Sequence, residues 1–143
     1  PDSSFTLENV IRSLLFTSLC ALRVGMDVLT KEEGVQVTEI RGHGGFFKQG
    51  STGQRLMAAA TKTAVSLPAT AGEGGAWGMA LLAAYLVREN KNQNLPEFLD
   101  SLISGSIGEA LQPDPRDVAG FDAYYNRYLQ CLKLEQEAIR VLQ

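Results

Sequence analysis

Apolar residues recur along the first part of the chain at Leu7, Val10, Ile11, Leu14, Leu15, Leu19, Leu22, Met26 and Leu29. Steps of three and four are the period of a helix with one wide apolar stripe. Thr6 is placed to cap that helix, Glu8 falls in its first turn, and Gly34 stands just past a natural end. The β-branched run VQVTEI, residues 35–40, then predicts a strand, followed by the glycine-rich stretch RGHGGFFKQGSTGQ. A helix is expected from Gln54 to Lys62 and a short strand around AVSLP, 64–68. After the loop ATAGEGG, a long helix is expected over AWGMALLAAYLVREN, 76–90. The order α-β-α-β-α with short connections is that of parallel βαβ units with right-handed crossovers, an α/β architecture.

Beyond Asn90 the pattern changes. ENKNQN is a polar break, and Pro96 is well placed to open another helix, with Phe98, Leu99, Leu102 and Ile103 on one side. SGSIGEALQPDPRD, 104–117, reads as a loop. The last helix is expected from about Val118 to Leu142, with Phe121, Tyr124, Tyr125, Tyr128, Leu132 and Ile139 forming an aromatic-headed stripe that packs into the core. Residues 1–92 therefore read as one unit and 93–143 as a C-terminal helical extension packed on it. Two strands leave unpaired N–H and C=O groups along their edges. The missing strands are expected in a longer parent chain, or the edge pairs with a second copy in a homo-oligomer.

Composition narrows the function classes. With 45% hydrophobic residues, the 143-residue chain can bury the core of one domain. A net charge of -3 argues against a nucleic-acid or anionic-membrane surface, which needs clustered Lys and Arg. No apolar run is unbroken over ~18 residues, so no membrane span is expected. PDSSFTLENV lacks the basic and apolar regions of a secretory signal, and the missing Met points to a processed or truncated chain. Cys20 and Cys131 have no Cys or His at ligand spacing; both are expected as buried free thiols, a usage that fits the reducing cytoplasm.

The chemistry-bearing features are two places where a strand runs through glycines into a helix, GHGGFF and TAGEGGAWG. In open α/β sheets, ligands gather beyond the carboxyl ends of the strands, and glycine backbone lets N–H groups approach a phosphate or base. Neither stretch is a P-loop, and neither matches GxGxxG with its distant acidic residue. Nucleotide contact and plain turn chemistry with close helix–strand packing both remain open on these residues alone.

The succession GHGGFFK…GQRLMAAATKTAVSLPATAGEGGAWGMALLAAYL resembles the C-terminal half of the second domain of FGGY-family carbohydrate kinases. Gly44 and Gly45 stand at the family's Gly-Gly-Gly-Ala-type turn, and Arg55, Leu56, Met57 and Ala58 in the helix after it. Val65 to Pro68 match the second strand, and Glu73, Ala76, Gly78 and Ala80 the Glu-x-x-Ala-x-Gly-x-Ala motif. The leading helix and the Tyr-rich FDAYYNRYLQCL are also similar to family elements. The GHGGFFK form is similar to the branch that phosphorylates pentuloses such as xylulose or ribulose. Departures are Phe46 and Phe47 in place of the third glycine and small residues, His43 among the glycines, and Phe16 or Thr17 where an acidic residue is usual.

That resemblance implies an actin-like, ribonuclease-H-like ATPase fold closing over ATP, Mg2+ and a sugar substrate. It implies Gly44 and Gly45 as the adenosine-binding turn, with Phe46 in apolar contact and Gln49 in hydrogen-bond reach of the purine. Phe46 and Phe47 can equally cap the core beneath the loop. Glu73 is expected as a helix-terminal carboxylate rather than a catalyst, and Gly78 as a packing glycine. His43 is expected to bond the loop backbone in preference to phosphate or ribose. Lys48 either offsets phosphate charge or is solvated; Lys62, Arg88 and Lys91 are expected as solvated helix ends. The family's base, an Asp, and its phosphate hairpins lie upstream of the first helix. Hence no catalytic or metal-binding residue is expected in this chain, and it is expected to phosphorylate nothing alone. The alternative is a non-catalytic actin-like nucleotide-binding or assembly module.

Overall fold

Thr6 opens the first helix as expected. Its hydroxyl oxygen accepts a hydrogen bond from the Asn9 N–H at 3.3 Å, satisfying a donor the helix cannot. In the computed structural model, which describes residues 4–48, 50–103 and 108–142, this helix is α1, Leu7–Asp27. It runs into a π-helical turn, Val28–Glu32, and the chain reverses at Gly34 with φ +67°. The remaining elements are β1 (Glu39–Arg41), α2 (Ser51–Thr61), β2 (Ala64–Ser66), α3 (Gly74–Val87), α4 (Leu95–Ile103) and α5 (Pro115–Leu142). The expected α-β-α-β-α order is present, with α4 and α5 following it.

Both strands are shorter than the β-branched runs that predict them. β1 and β2 pair in parallel, Glu39 opposite Ala64, Ile40 opposite Val65 and Arg41 opposite Ser66, and the Gly42 N–H extends the ladder to the Ser66 carbonyl at 2.9 Å. A strand is as long as its partner allows, so Val35 to Thr38 stay outside the ladder despite their β propensity. Val65 also exchanges backbone hydrogen bonds with Leu111 in an antiparallel bridge, at 3.0 and 2.8 Å. The segment expected only as a loop thus contributes a sheet contact. The Ser66 hydroxyl hydrogen-bonds the Glu39 carboxylate across the pair.

The chain forms two compact units, one of residues 1–37, 56–63 and 113–143, the other of residues 38–55 and 64–112. In the first, α1 packs on α5 along an aromatic seam. Phe16 meets Phe121 edge-on at 5.2 Å and Tyr124 at 5.4 Å, and Phe121 stacks on Tyr125 at 6.3 Å. Leu19, Cys20, Phe121 and Tyr125 are buried there. With α5 as its helical partner, α1 buries a narrow seam, and Leu7, Ile11 and Leu14 of the predicted stripe remain exposed. Leu7–Glu32 is, by length and composition, long and apolar enough to cross a membrane, although its apolar residues are interrupted. The same helix carries Arg23 buried against protein.

α5 starts one turn earlier than expected, because Asp114 caps it and Pro115 takes the first helical position. The Asp114 carboxylate accepts from the Arg116 and Asp117 N–H groups at 2.8 and 3.3 Å. Its 28 residues against 21 in α1 make it longer by ~10 Å at 1.5 Å per residue. Only its first half finds cover. Ile139 is exposed, and so is Cys131, against the expectation of a buried thiol; Cys20 is buried, and burial pushes its thiol pKa up.

A polar network ties this unit together. Arg23 donates to the Ala60 carbonyl at 2.7 Å and pairs with Asp27 at 2.9 Å, while the Tyr125 hydroxyl donates to Asp27 at 3.1 Å. Partial burial works to raise the Asp27 carboxyl pKa, but hydrogen bonds from Lys31, Arg23 and Tyr125 and the Arg23 charge hold it below the usual carboxylate range. Burial, reinforced by Asp27, pushes Tyr125 up to about 12. Lys62 is not simply solvated. It ends α2 in the left-handed region at φ 58° and reaches Asp122 at 2.8 Å.

In the second unit α3 is apolar on every side, yet among its residues only Leu81 is buried; Trp77, Met79, Leu82, Leu86 and Val87 are exposed. Arg88, expected as a solvated helix end, instead lies 3.6 Å over the Tyr85 ring and donates to the Tyr85, Lys91 and Gln93 carbonyls. It satisfies carbonyls that a helix terminus leaves open. Lys91 is exposed and donates to the Leu86 carbonyl at 2.9 Å.

Candidate functional site

The turn beyond β1 is built by close approaches at its base and open backbone at its crest. Gly42 is buried, and a Cβ there would lie 2.5 Å from the Phe47 ring and 2.7 Å from Leu67. Phe47 is itself buried, so it is the ring that caps the core beneath the loop. Phe46 is half-buried and meets Phe47 edge-on at 5.3 Å, with its carbonyl seated against Gly53 in the first turn of α2.

Gly44 and Gly45 form the crest. Gly44 has φ +103° and ψ 179°, a conformation that L side chains rarely adopt, which explains a glycine there without any ligand. A Cβ at either position would meet nothing within 4 Å, so the space beside both is open. From Gly45 the chain enters a 3-10 turn through Phe47, with the Phe47 N–H bonded to the Gly44 carbonyl at 3.1 Å. Gln49 lies outside the described residues.

The second glycine turn lies against the first. The Gly44 N–H donates to the Ala71 carbonyl at 2.6 Å. The Lys48 ammonium donates to the Glu73 carboxylate at 2.6 Å, and the lysine stem passes over Gly72, where a Cβ would sit 3.1 Å from Lys48 Cε. His43 packs over Gly74, 2.5 Å from where its Cβ would be, and among the described residues it makes no hydrogen bond to the loop backbone, contrary to expectation. Lys48 is exposed to solvent and paired there with Glu73. The hydrogen bond and positive charge of Lys48 hold the Glu73 carboxyl below its ordinary pKa.

Gly78, expected to let α3 approach a neighbour, faces open space instead; Gly42, Gly53, Gly74 and Gly108 are the described glycines where a Cβ would come within 3.0 Å of a neighbour. Two functional details were out of reach of pattern reading. The Lys48–Glu73 pair spans the whole of α2 and β2. Gln54, buried in the first turns of α2, donates its amide to the Val65 carbonyl at 2.6 Å and the Glu109 carbonyl at 3.3 Å, joining the helix to the central strand.

Chemically, the crest offers open space beside backbone whose Gly44 N–H and Gly44 and Gly45 carbonyls are already bonded within the turns, flanked by the half-buried Phe46 ring and the Lys48–Glu73 ion pair. Among the described residues no group of His, Cys, Asp and Glu could hold a metal ion.

Residues 1–87, from the N-terminus through α3 and including both glycine turns, match the model of the FGGY family of carbohydrate kinases, C-terminal domain. No curated protein matches the chain.

Proposed function

Because the chain belongs to the FGGY family of carbohydrate kinases, we propose that it supplies the adenosine-binding side of an ATP-dependent sugar kinase with an actin-like fold. The observation that carries this reading is the open crest at the carboxyl end of β1. There a Cβ on Gly44 or Gly45 would meet nothing within 4 Å, in the position where ligands settle in α/β sheets. The nucleoside of ATP lies along that backbone, with the Phe46 face against the purine and Gln49 as its hydrogen-bonding partner.

Phosphoryl transfer to a sugar needs a phosphate cradle, Mg2+ ligands and a base for the hydroxyl proton. Among the described residues no group of three or more His, Cys, Asp and Glu gathers to hold a metal ion. Glu73, the carboxylate beside the crest, is a poor proton acceptor because Lys48 stabilises its ionised form. On this reading the chain alone turns over no sugar, the groups that bind Mg2+ and deprotonate the substrate being supplied by another part of the kinase. Ketopentoses of the xylulose or ribulose type are the proposed acceptors, on the GHGGFFK form of the turn.

Titrating the intact protein and its Gly45→Val variant with ATP tests the assignment. The branched side chain fills the open space and displaces polar contacts worth about 1–3 kcal/mol. Dissociation constants should rise roughly 5- to 150-fold. An unchanged ATP affinity, with the variant folded by circular dichroism, contradicts the reading.

A further inference from the structure

We infer that Glu73 is a positioning residue for the nucleotide turn, acting through Lys48 to hold the Gly44–Phe47 backbone in its receptive shape; this rests on the adenosine-side reading above. Glycine backbone is loose in isolation, and a binding surface made of it must lose that freedom when ligand arrives. Packing does not restrain the crest, since neither Gly44 nor Gly45 has a neighbour within 4 Å of its Cβ position. Restraint comes instead from the segment Ala71–Gly74. It takes the Gly44 N–H on the Ala71 carbonyl and the Lys48 ammonium on Glu73, both at 2.6 Å.

Three features of that segment fit a clamp and not a chance surface pair. Position 72 is glycine, and a Cβ there would crowd the Lys48 stem as it crosses to Glu73. Position 74 is glycine, and a Cβ there would strike His43. Glu73 stands at the N-terminus of α3 yet makes no capping hydrogen bond to the helix; its carboxylate is turned to Lys48. The clamp lowers the ordering cost of ligand binding, which is how preorganisation raises affinity.

The experiment compares the intact protein with Glu73→Gln, Lys48→Met, the double variant, and the swap Lys48→Glu with Glu73→Lys, each titrated with ATP and separately with adenosine. Each single change should weaken both ligands by up to about fivefold, the range of an exposed ion pair. The double variant should lose no more than either single one, and the swap should recover most of the affinity. A role through backbone shape predicts equal losses for ATP and adenosine. If Glu73→Gln tightens ATP while Lys48→Met weakens ATP alone, Lys48 is a phosphate ligand that Glu73 restrains, and the clamp is overturned. Parent-like binding by every variant also overturns it. Gly45→Val, titrated alongside, separates the two levels. If it abolishes binding while the pair variants bind normally, only the clamp fails; if it binds normally, the nucleoside reading fails and the clamp with it.

Discussion

Phe121→Ala lowers the stability of the protein by about 3–5 kcal/mol, the range for truncating a fully buried aromatic ring. Phe121 is 0% exposed and is the largest fully buried side chain of the described residues. It lies edge-on to Phe16 and stacked on Tyr125, so one truncation removes two ring contacts and leaves a cavity that helices of fixed length close only partly. Tyr125 then loses a neighbour while still donating to Asp27. Against a typical total of ~5–15 kcal/mol, that loss should show as a much earlier urea midpoint. A stability loss of less than ~1 kcal/mol, read from the midpoint at an unchanged denaturant slope, would show that the α1–α5 seam is not the core of the unit they form.

The second large effect belongs to the base of the glycine turn. Gly42→Val costs about 3 kcal/mol, the upper end of the range for overpacking. Its Cβ alone would lie 2.5 Å from the Phe47 ring and 2.7 Å from Leu67. The Phe47 ring is buried under the loop and cannot move without displacing its neighbours, whereas the Leu67 contact is with a terminal methyl that can turn aside. Moving Phe47 displaces the 3-10 turn that begins at Gly45, so the variant should lose nucleotide affinity along with stability. Gly78→Ala serves as the contrast. Its Cβ enters open space within α3, and replacing a helical glycine should leave stability equal or higher by up to ~1 kcal/mol. Thermal denaturation of both variants checks the pair of outcomes.

Much of the framework was legible because it rests on short-range rules. The Thr6 cap, the order of elements and the aromatic head of α5 follow from local propensity and a helical period, and each is present. Features set by a distant partner were not legible. β1 reaches only as far as three-residue β2 allows, and the tail of α5 is exposed because α1 is shorter. Cys131 belongs to that tail, so its apolar character did not predict burial. Spacing also says nothing of which glycines have neighbours: Gly42 and Gly74 sit against rings, while Gly78, marked by motif, does not. At the candidate site, the roles of Phe46 and Phe47 separate only in three dimensions. Phe47 is the ring that caps the core, while Phe46 is half-buried beside it. Lys48 and Glu73 meet because two turns converge, a contact no sequence period encodes.

The most direct measurement is a crystal structure of the intact protein with a non-hydrolysable ATP analogue. The purine nucleoside should lie along the Gly44–Gly45 backbone with Phe46 against the base and the Lys48–Glu73 pair intact. A nucleoside bound elsewhere, with that crest covered by side chains, contradicts this placement.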